Sequence, residues 1–226
     1  NSAEDVEKLI IKPLEKEIQK RGYQVYWFSE HEYTKSYFEK GTPVLHSVKE
    51  VLDYEPHIVL TATDSVADFF PGIKVQIFHG FSANKRPLMD DHFKIRGFFD
   101  LYTTQGPSTT ETFQYQAKKH GFFEVVETGW SKVDPLFPIT NKEASEKPTI
   151  LISSTFTTRL SLAKNDAVFE EIKRLSKTGN YQFLCVLHPK LEPEIKDKFK
   201  ALNNENFSYH DTTDLIPLFK KADIMF

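Results

Sequence analysis

His57-Ile58-Val59-Leu60-Thr61, followed by Lys74-Val75-Gln76-Ile77-Phe78, decides the fold class. The first is a short continuous apolar run without polar alternation, the pattern of a strand buried on both faces. The second reads as its buried neighbour. Strands of that kind belong to parallel sheets covered by helices. The surrounding sequence supplies those helices. Residues 5–21 carry Val6, Leu9, Ile10, Leu14 and Ile18 on one stripe, and Gly22 closes the helix. A strand is expected over 25–28, a weaker helix over 30–38, a short strand at Val44-Leu45, and a helix capped by Ser47 that reaches about Asp53. Residues 64–70 read as a short helix and 98–103 as a strand. Residues 108–120 read as a helix between Gly106-Pro107 and Gly121, and 124–127 as a strand that stops at Gly129.

Composition narrows the class. The chain has 226 residues and a net charge of −3, with 39% hydrophobic residues and 20 Phe. A disordered chain would lack the aromatics, and a general nucleic-acid binder would carry a basic excess. No apolar run approaches the roughly 20 residues of a membrane span. Cys185 stands alone, which excludes a disulfide framework and a multi-Cys zinc site. No signal peptide is visible at the start, so a cytoplasmic setting is expected. No metal and no cofactor are expected either, since the histidines show no metal-ligand spacing and the P-loop, GxSxG and GxGxxG patterns are absent.

The stretch 135–148 changes character, with three prolines and a charged run, and after it the strand–helix rhythm restarts. Strands are expected over 149–153, 181–187, 207–209 and 223–226. Helices are expected over 166–177, 189–202 and 213–221. The domain plan is therefore an N-terminal Rossmann-like domain over 1–136, a linker over 137–148 and a second Rossmann-like domain over 149–226. The chain opens on a helix and stops inside what reads as a buried strand. It is expected to be part of a larger protein, with the second domain incomplete.

In open parallel sheets ligands gather outside the carboxyl ends of the strands. The strand ending at Phe78 runs into His79-Gly80, which sets an imidazole at a strand tip where it can take a proton near neutral pH. The strand ending at Leu187 runs into His188-Pro189-Lys190. With Pro189 at the first helical position, His188 would sit at the N-cap and Lys190 in the first turn, an arrangement that attracts a phosphate. The strand from Thr149 runs into Ser153-Ser154-Thr155-Phe156-Thr157-Thr158-Arg159, hydroxyls and one guanidinium suited to phosphate. Asp211, Thr212 and Thr213 read as caps of the last helix. Asp214 falls in its first turn on the carboxyl-edge side, within reach of a ribose. Each also has a plain structural reading: a satisfied histidine, a surface lysine, a solvated loop.

The order of these motifs, with Asp214-Leu215-Ile216 and Lys221-Ala222-Asp223-Ile224 after them, resembles the CDP-glycerol glycerophosphotransferase family of teichoic-acid primases and polymerases. The resemblance covers residues 74–226. It implies a GT-B-like pair of domains and transfer of an alditol phosphate, glycerol phosphate first, from a CDP-alditol donor to a hydroxyl of a membrane-borne polymer or its primer, with release of CMP. It implies that His79 deprotonates the acceptor hydroxyl, that His188 contacts the donor phosphates, and that Ser154, Thr155, Thr157, Arg159, Lys190 and Asp214 line the donor site. It also implies work at the inner face of the plasma membrane, with no nucleic-acid partner. Ser154 stands where the family writes Pro, and two threonines precede Arg159. The family's Asp-x-Ser-Ser segment would follow Phe226. A nucleotide-sugar glycosyltransferase or 2-epimerase of the same fold, and a non-catalytic nucleotide-binding module, are the alternatives.

Overall fold

A computed structural model describes residues 3–29, 38, 40–78, 80, 93–139 and 146–226. The chain divides into two compact units, Ala3–Asp134 and Pro135–Phe226. Of the linker expected over 137–148, residues 140–145 lie outside the described residues, as does most of the helix expected over 30–38.

The first unit begins with helix α1 (Ala3–Lys20), after which Gly22 takes a positive φ. Strands β1 (Trp27–Phe28) and β2 (Val44–Leu45) pair in parallel. Helix α2 (Val48–Tyr54) is capped as expected: the Ser47 hydroxyl accepts from the Glu50 N–H, and the Glu50 carboxylate reaches back to the His46 N–H. Strands β3 (Ile58–Thr61), β4 (Ile73–Ile77), β5 (Leu101–Thr104) and β6 (Glu124–Glu127) form a parallel sheet in that order. Helix α3 (Pro107–His120) connects β5 to β6, with Pro107 in its first turn and Gly121 at φ 76° closing it.

Three expectations fail in this unit. β3 is not buried on both faces; it lies at the end of its four-stranded sheet and leaves Ile58 56% exposed. No helix forms over 64–70. Thr61 and Thr63 instead bond each other's hydroxyls and nearby backbone, the local competition that disfavours helix. The strand expected from Phe98 starts at Leu101, because Phe99 turns into the core. That core is aromatic: Phe78, Phe93, Phe99, Tyr102, Phe113 and Phe123 are all buried, with Tyr102 stacked on Phe113 at 5.1 Å. Gly72, between β3 and β4, is a forced glycine. Its φ is +89°, and a Cβ there would fall 2.2 Å from the Pro56 carbonyl oxygen.

The second unit holds β7 (Thr149–Ser154), α4 (Asp166–Leu175), β8 (Gln182–Leu187), α5 (Pro193–Lys200), β9 (Phe207–Tyr209), α6 (Ile216–Lys221) and β10 (Ile224–Met225). Its four strands are parallel in the order β10-β7-β8-β9. The chain therefore steps outward from β7 to β9 and returns to pair β10 on the other side of β7. Both faces of the sheet are covered. Ile152, Phe183, Cys185 and Leu187 pack with Phe169, Phe199 and Phe207 on one side. Leu151, Leu184 and Val186 meet Leu218 of α6 on the other. The alternation along β7 and β8 between these two clusters is the period of two that a strand imposes. β10 pairs with β7 where a strand is expected, with Ile224, Met225 and Phe226 47%, 63% and 73% exposed.

Candidate functional site

The reversal of strand order at β7 and β10 is a topological switch point, and parallel sheets hold ligands in the crevice outside the carboxyl ends there. The loop after β7 carries Thr155, Thr157 and Arg159. The loop after β8 carries His188 and Lys190. The two strands are hydrogen-bonded throughout, up to Ser154 opposite Leu187. The His188 N–H then donates to the Ser154 carbonyl at 3.1 Å, so both loops leave the sheet at the same level.

The turn after β8 overturns one expectation. His188 is not the N-cap of α5, and Lys190 is not in its first turn, because α5 starts at Pro193 with Glu192 as the N-cap. A residue before proline is disfavoured from helical geometry, and Glu192 has φ −57° and ψ 140°. The helix therefore cannot run through it. Residues 188–191 make a tight turn instead: the Leu191 N–H donates to the His188 carbonyl at 2.9 Å, and Leu191 is buried as its anchor. Within the turn the Lys190 N–H donates to Nδ1 of His188 at 3.0 Å. That bond uses the Nδ1 lone pair and places the ring proton on Nε2.

Phe156, which sequence reasoning passed over as a loop residue, joins the two loops. Its ring lies 4.6 Å from the His188 ring, and the Lys190 ammonium lies 5.6 Å from its centroid. Lys164 adds a second tie, donating to Glu192 at 2.7 Å and to the Thr158 hydroxyl at 3.3 Å. The Lys164 hydrogen bond holds the Glu192 carboxyl below the usual carboxylate range.

The hydroxyl loop divides into structural and exposed members. Ser154 is 7% exposed; its Oγ lies 2.9 Å from Ser161 Oγ, accepts from the Ala163 N–H and donates to the Thr155 carbonyl. That hydroxyl is committed to the fold. Thr155 is half-buried, while Thr157, Thr158 and Arg159 are exposed, with Thr158–Leu160 forming a short 3-10 turn.

Asp214 does not lie in the first turn of α6, which starts at Ile216. It sits in the turn ahead of the helix, where its carboxylate accepts from the Ile216 N–H at 3.1 Å and its own N–H donates to Thr212. Neither Asp211, Thr212 nor Thr213 caps the helix, whose N-cap is Leu215. His210 follows the end of β9. Its N–H bonds the Cys185 carbonyl, its Nε2 is buried without a partner, and burial assisted by Lys221 holds it below the usual histidine range.

His79 lies outside the described residues. The strand end before it is defined: Phe78 is buried, and its carbonyl accepts from the Gln105 side chain at 3.3 Å. Among the described residues no group of three His, Cys, Asp or Glu side chains could hold a metal. No helix among them is long and apolar enough to cross a membrane.

No family model matches the chain, and no curated protein does. Solved structures do. A MnaA structure from S. aureus in complex with UDP is 13% identical over 100% of this chain and 71% of that one, with a TM-score of 0.59. A Listeria monocytogenes structure named as a putative UDP-N-acetylglucosamine 2-epimerase gives 13% identity, 99% and 70% coverage and a TM-score of 0.63. The wall teichoic acid polymerase TagF gives 15%, 96% and 61%, with a TM-score of 0.58. The chain thus has a GT-B-like α/β architecture of parallel sheets, the fold of these neighbours.

Proposed function

We propose that the unit Pro135–Phe226 binds the diphosphate of a nucleotide-activated donor on the carboxyl edge of β7 and β8. The whole protein then moves an alditol phosphate from a CDP-alditol to a hydroxyl of a cell-envelope polymer or its lipid-linked primer. The observation that carries this reading is the meeting of His188, Lys190 and the hydroxyl loop at the switch point of the second sheet. The TagF likeness supports the polymer-transferase side of it.

In the reaction the acceptor oxygen attacks the phosphorus that bears the alditol. The bond from that phosphorus to the bridging oxygen breaks, and CMP leaves with the electron pair. His79 takes the acceptor's proton. His188, with its proton on Nε2, donates a hydrogen bond to the phosphate oxygens, and Lys190 and Arg159 offset their charge as it shifts onto CMP. Asp214 is the ribose contact. The transfer takes place at the cytoplasmic face of the membrane that carries the acceptor.

A second reading is a UDP-sugar enzyme of the 2-epimerase type, favoured by the likeness to the Listeria monocytogenes structure and by the UDP in the S. aureus one. Titrating the protein with CDP-glycerol, CDP-ribitol and UDP-N-acetylglucosamine, followed by a CMP-release assay with polymer acceptor, separates the two. Binding and turnover of a CDP-alditol supports the first reading. Selective binding of the UDP-sugar replaces it with the second. Binding without turnover leaves a nucleotide-binding module.

A further inference from the structure

We propose that Phe156 is a positioning residue that makes His188 and Lys190 act as one diphosphate-binding unit. The proposal rests on the donor-site reading above and names the element that assembles that site. Three observations carry it. Phe156 is 40% exposed in a loop of hydroxyl residues and belongs to none of the buried clusters. Its ring lies 4.6 Å from the His188 ring at a tilt of 48°, and the Lys190 ammonium lies over it at 5.6 Å. The backbone independently ties the same two residues, since the Lys190 N–H donates to His188 Nδ1.

Each contact removes a different freedom. The amide bond selects the tautomer, leaving the ring proton on Nε2. The Phe156 ring limits rotation of the imidazole about its own axis. Its π face, negative at the centre, draws the lysine head toward the histidine instead of into bulk water. Lysine's flexible four-carbon stem otherwise leaves its head free to sample many rotamers. An aromatic surface contributed by the β7 loop therefore organises the donor and the cation contributed by the β8 loop. Sites preorganised in this way bind more tightly because less ordering is left to the binding step. The Lys164 bridge between Thr158 and Glu192 holds the two loops at the spacing this requires.

The test uses the whole chain with inorganic pyrophosphate and CDP as probes, measured by calorimetry, for wild type and three variants. F156Y keeps the ring face and should bind within about threefold of wild type. F156A and F156L both lose the face, and F156L keeps apolar bulk against collapse of the loop; each should bind about tenfold more weakly, as expected for one aromatic pair and one exposed cation–π contact. Melting temperatures should stay close to wild type, because Phe156 is not a core residue. F156L binding as tightly as wild type overturns the proposal. The nitrogen spectrum of the His188 ring supplies a readout without ligand. The amide bond keeps the Nε2–H form in all four proteins, so the readout is ring order: wild type and F156Y should show one sharp set of ring signals, F156A and F156L signals broadened by exchange between rotamers; identical line widths in all four overturn the positioning role. If wild type binds neither probe, the donor-site reading fails, and the ring spectra alone decide the role of Phe156.

Discussion

Replacing Ser154 with alanine separates a structural hydroxyl from a ligand-binding one. The side chain is buried, and its oxygen serves three neighbours: Ser161 Oγ at 2.9 Å, the Ala163 N–H at 3.2 Å and the Thr155 carbonyl at 3.1 Å. One hydroxyl donates once and accepts twice, so all three bonds can coexist. Alanine leaves no cavity of consequence but strands the buried Ala163 N–H and deprives the Ser161 hydroxyl of its partner. An orphaned buried group costs about 1–3 kcal/mol, so the pair should cost about 2–3 kcal/mol. In a unit of about 90 residues that lowers the melting temperature by about 10–20 °C. Urea unfolding followed by circular dichroism measures it. A cycle with Ser161→Ala should be non-additive, because both substitutions break the same bond. Affinity for CDP, measured well below the new midpoint, should fall by less than about threefold, within the range of a small loop shift. Unchanged stability with lost binding would return Ser154 to the ligand and refute the assignment.

Phe113→Ala removes the ring at the centre of the first unit's aromatic core, where Phe113 is 1% exposed; it should cost about 3–5 kcal/mol, and Phe113→Leu under about 1.5, by urea titration. The Cys185 thiol is fully buried and pushed up to about 12 by that burial, so it should resist iodoacetamide at neutral pH until the second unit unfolds. Fast labelling of the native protein would contradict its placement in β8. Because Lys164 depresses the Glu192 carboxyl, the bridge stabilises the loops above the ordinary carboxylate range, and that contribution fades as the pH falls through the depressed value. Lys164→Gln should remove this part of the acid dependence, read from melting curves across the acidic range; an unchanged difference between wild type and variant at every pH would contradict it.

What was legible in the sequence was local. Ser47 ahead of α2, Gly106-Pro107 and Gly121 around α3, and the apolar runs of β7 and β8 are signals written within a few residues, and the chain obeys them. The strand–helix alternation likewise led to parallel sheets. Several of the misses have tertiary causes. Nothing local tells that β3 ends its four-stranded sheet. Ser154 and Thr157 look alike in sequence, and only burial assigns the first to the fold. Phe156 and His188 sit on different loops, so their contact depends on the pairing of β7 with β8. Two are local: the Thr61 and Thr63 hydroxyl bonds that displace the helix expected over 64–70, and the start of α5. Pro193 after Glu192 announced the true start of the helix, and Pro189 drew the start four residues too early.

The central claim is that a nucleotide diphosphate rests on the carboxyl edge of β7 and β8. Amide shift mapping of the isotopically labelled chain during titration with CDP tests it most directly. The account expects saturable shifts at Thr155, Phe156, Thr157 and Arg159 and at His188, Lys190 and Leu191, with the amino ends of the same strands, Thr149 and Gln182, unmoved. Shifts confined to the opposite edge of the sheet, or none at millimolar CDP, would contradict it.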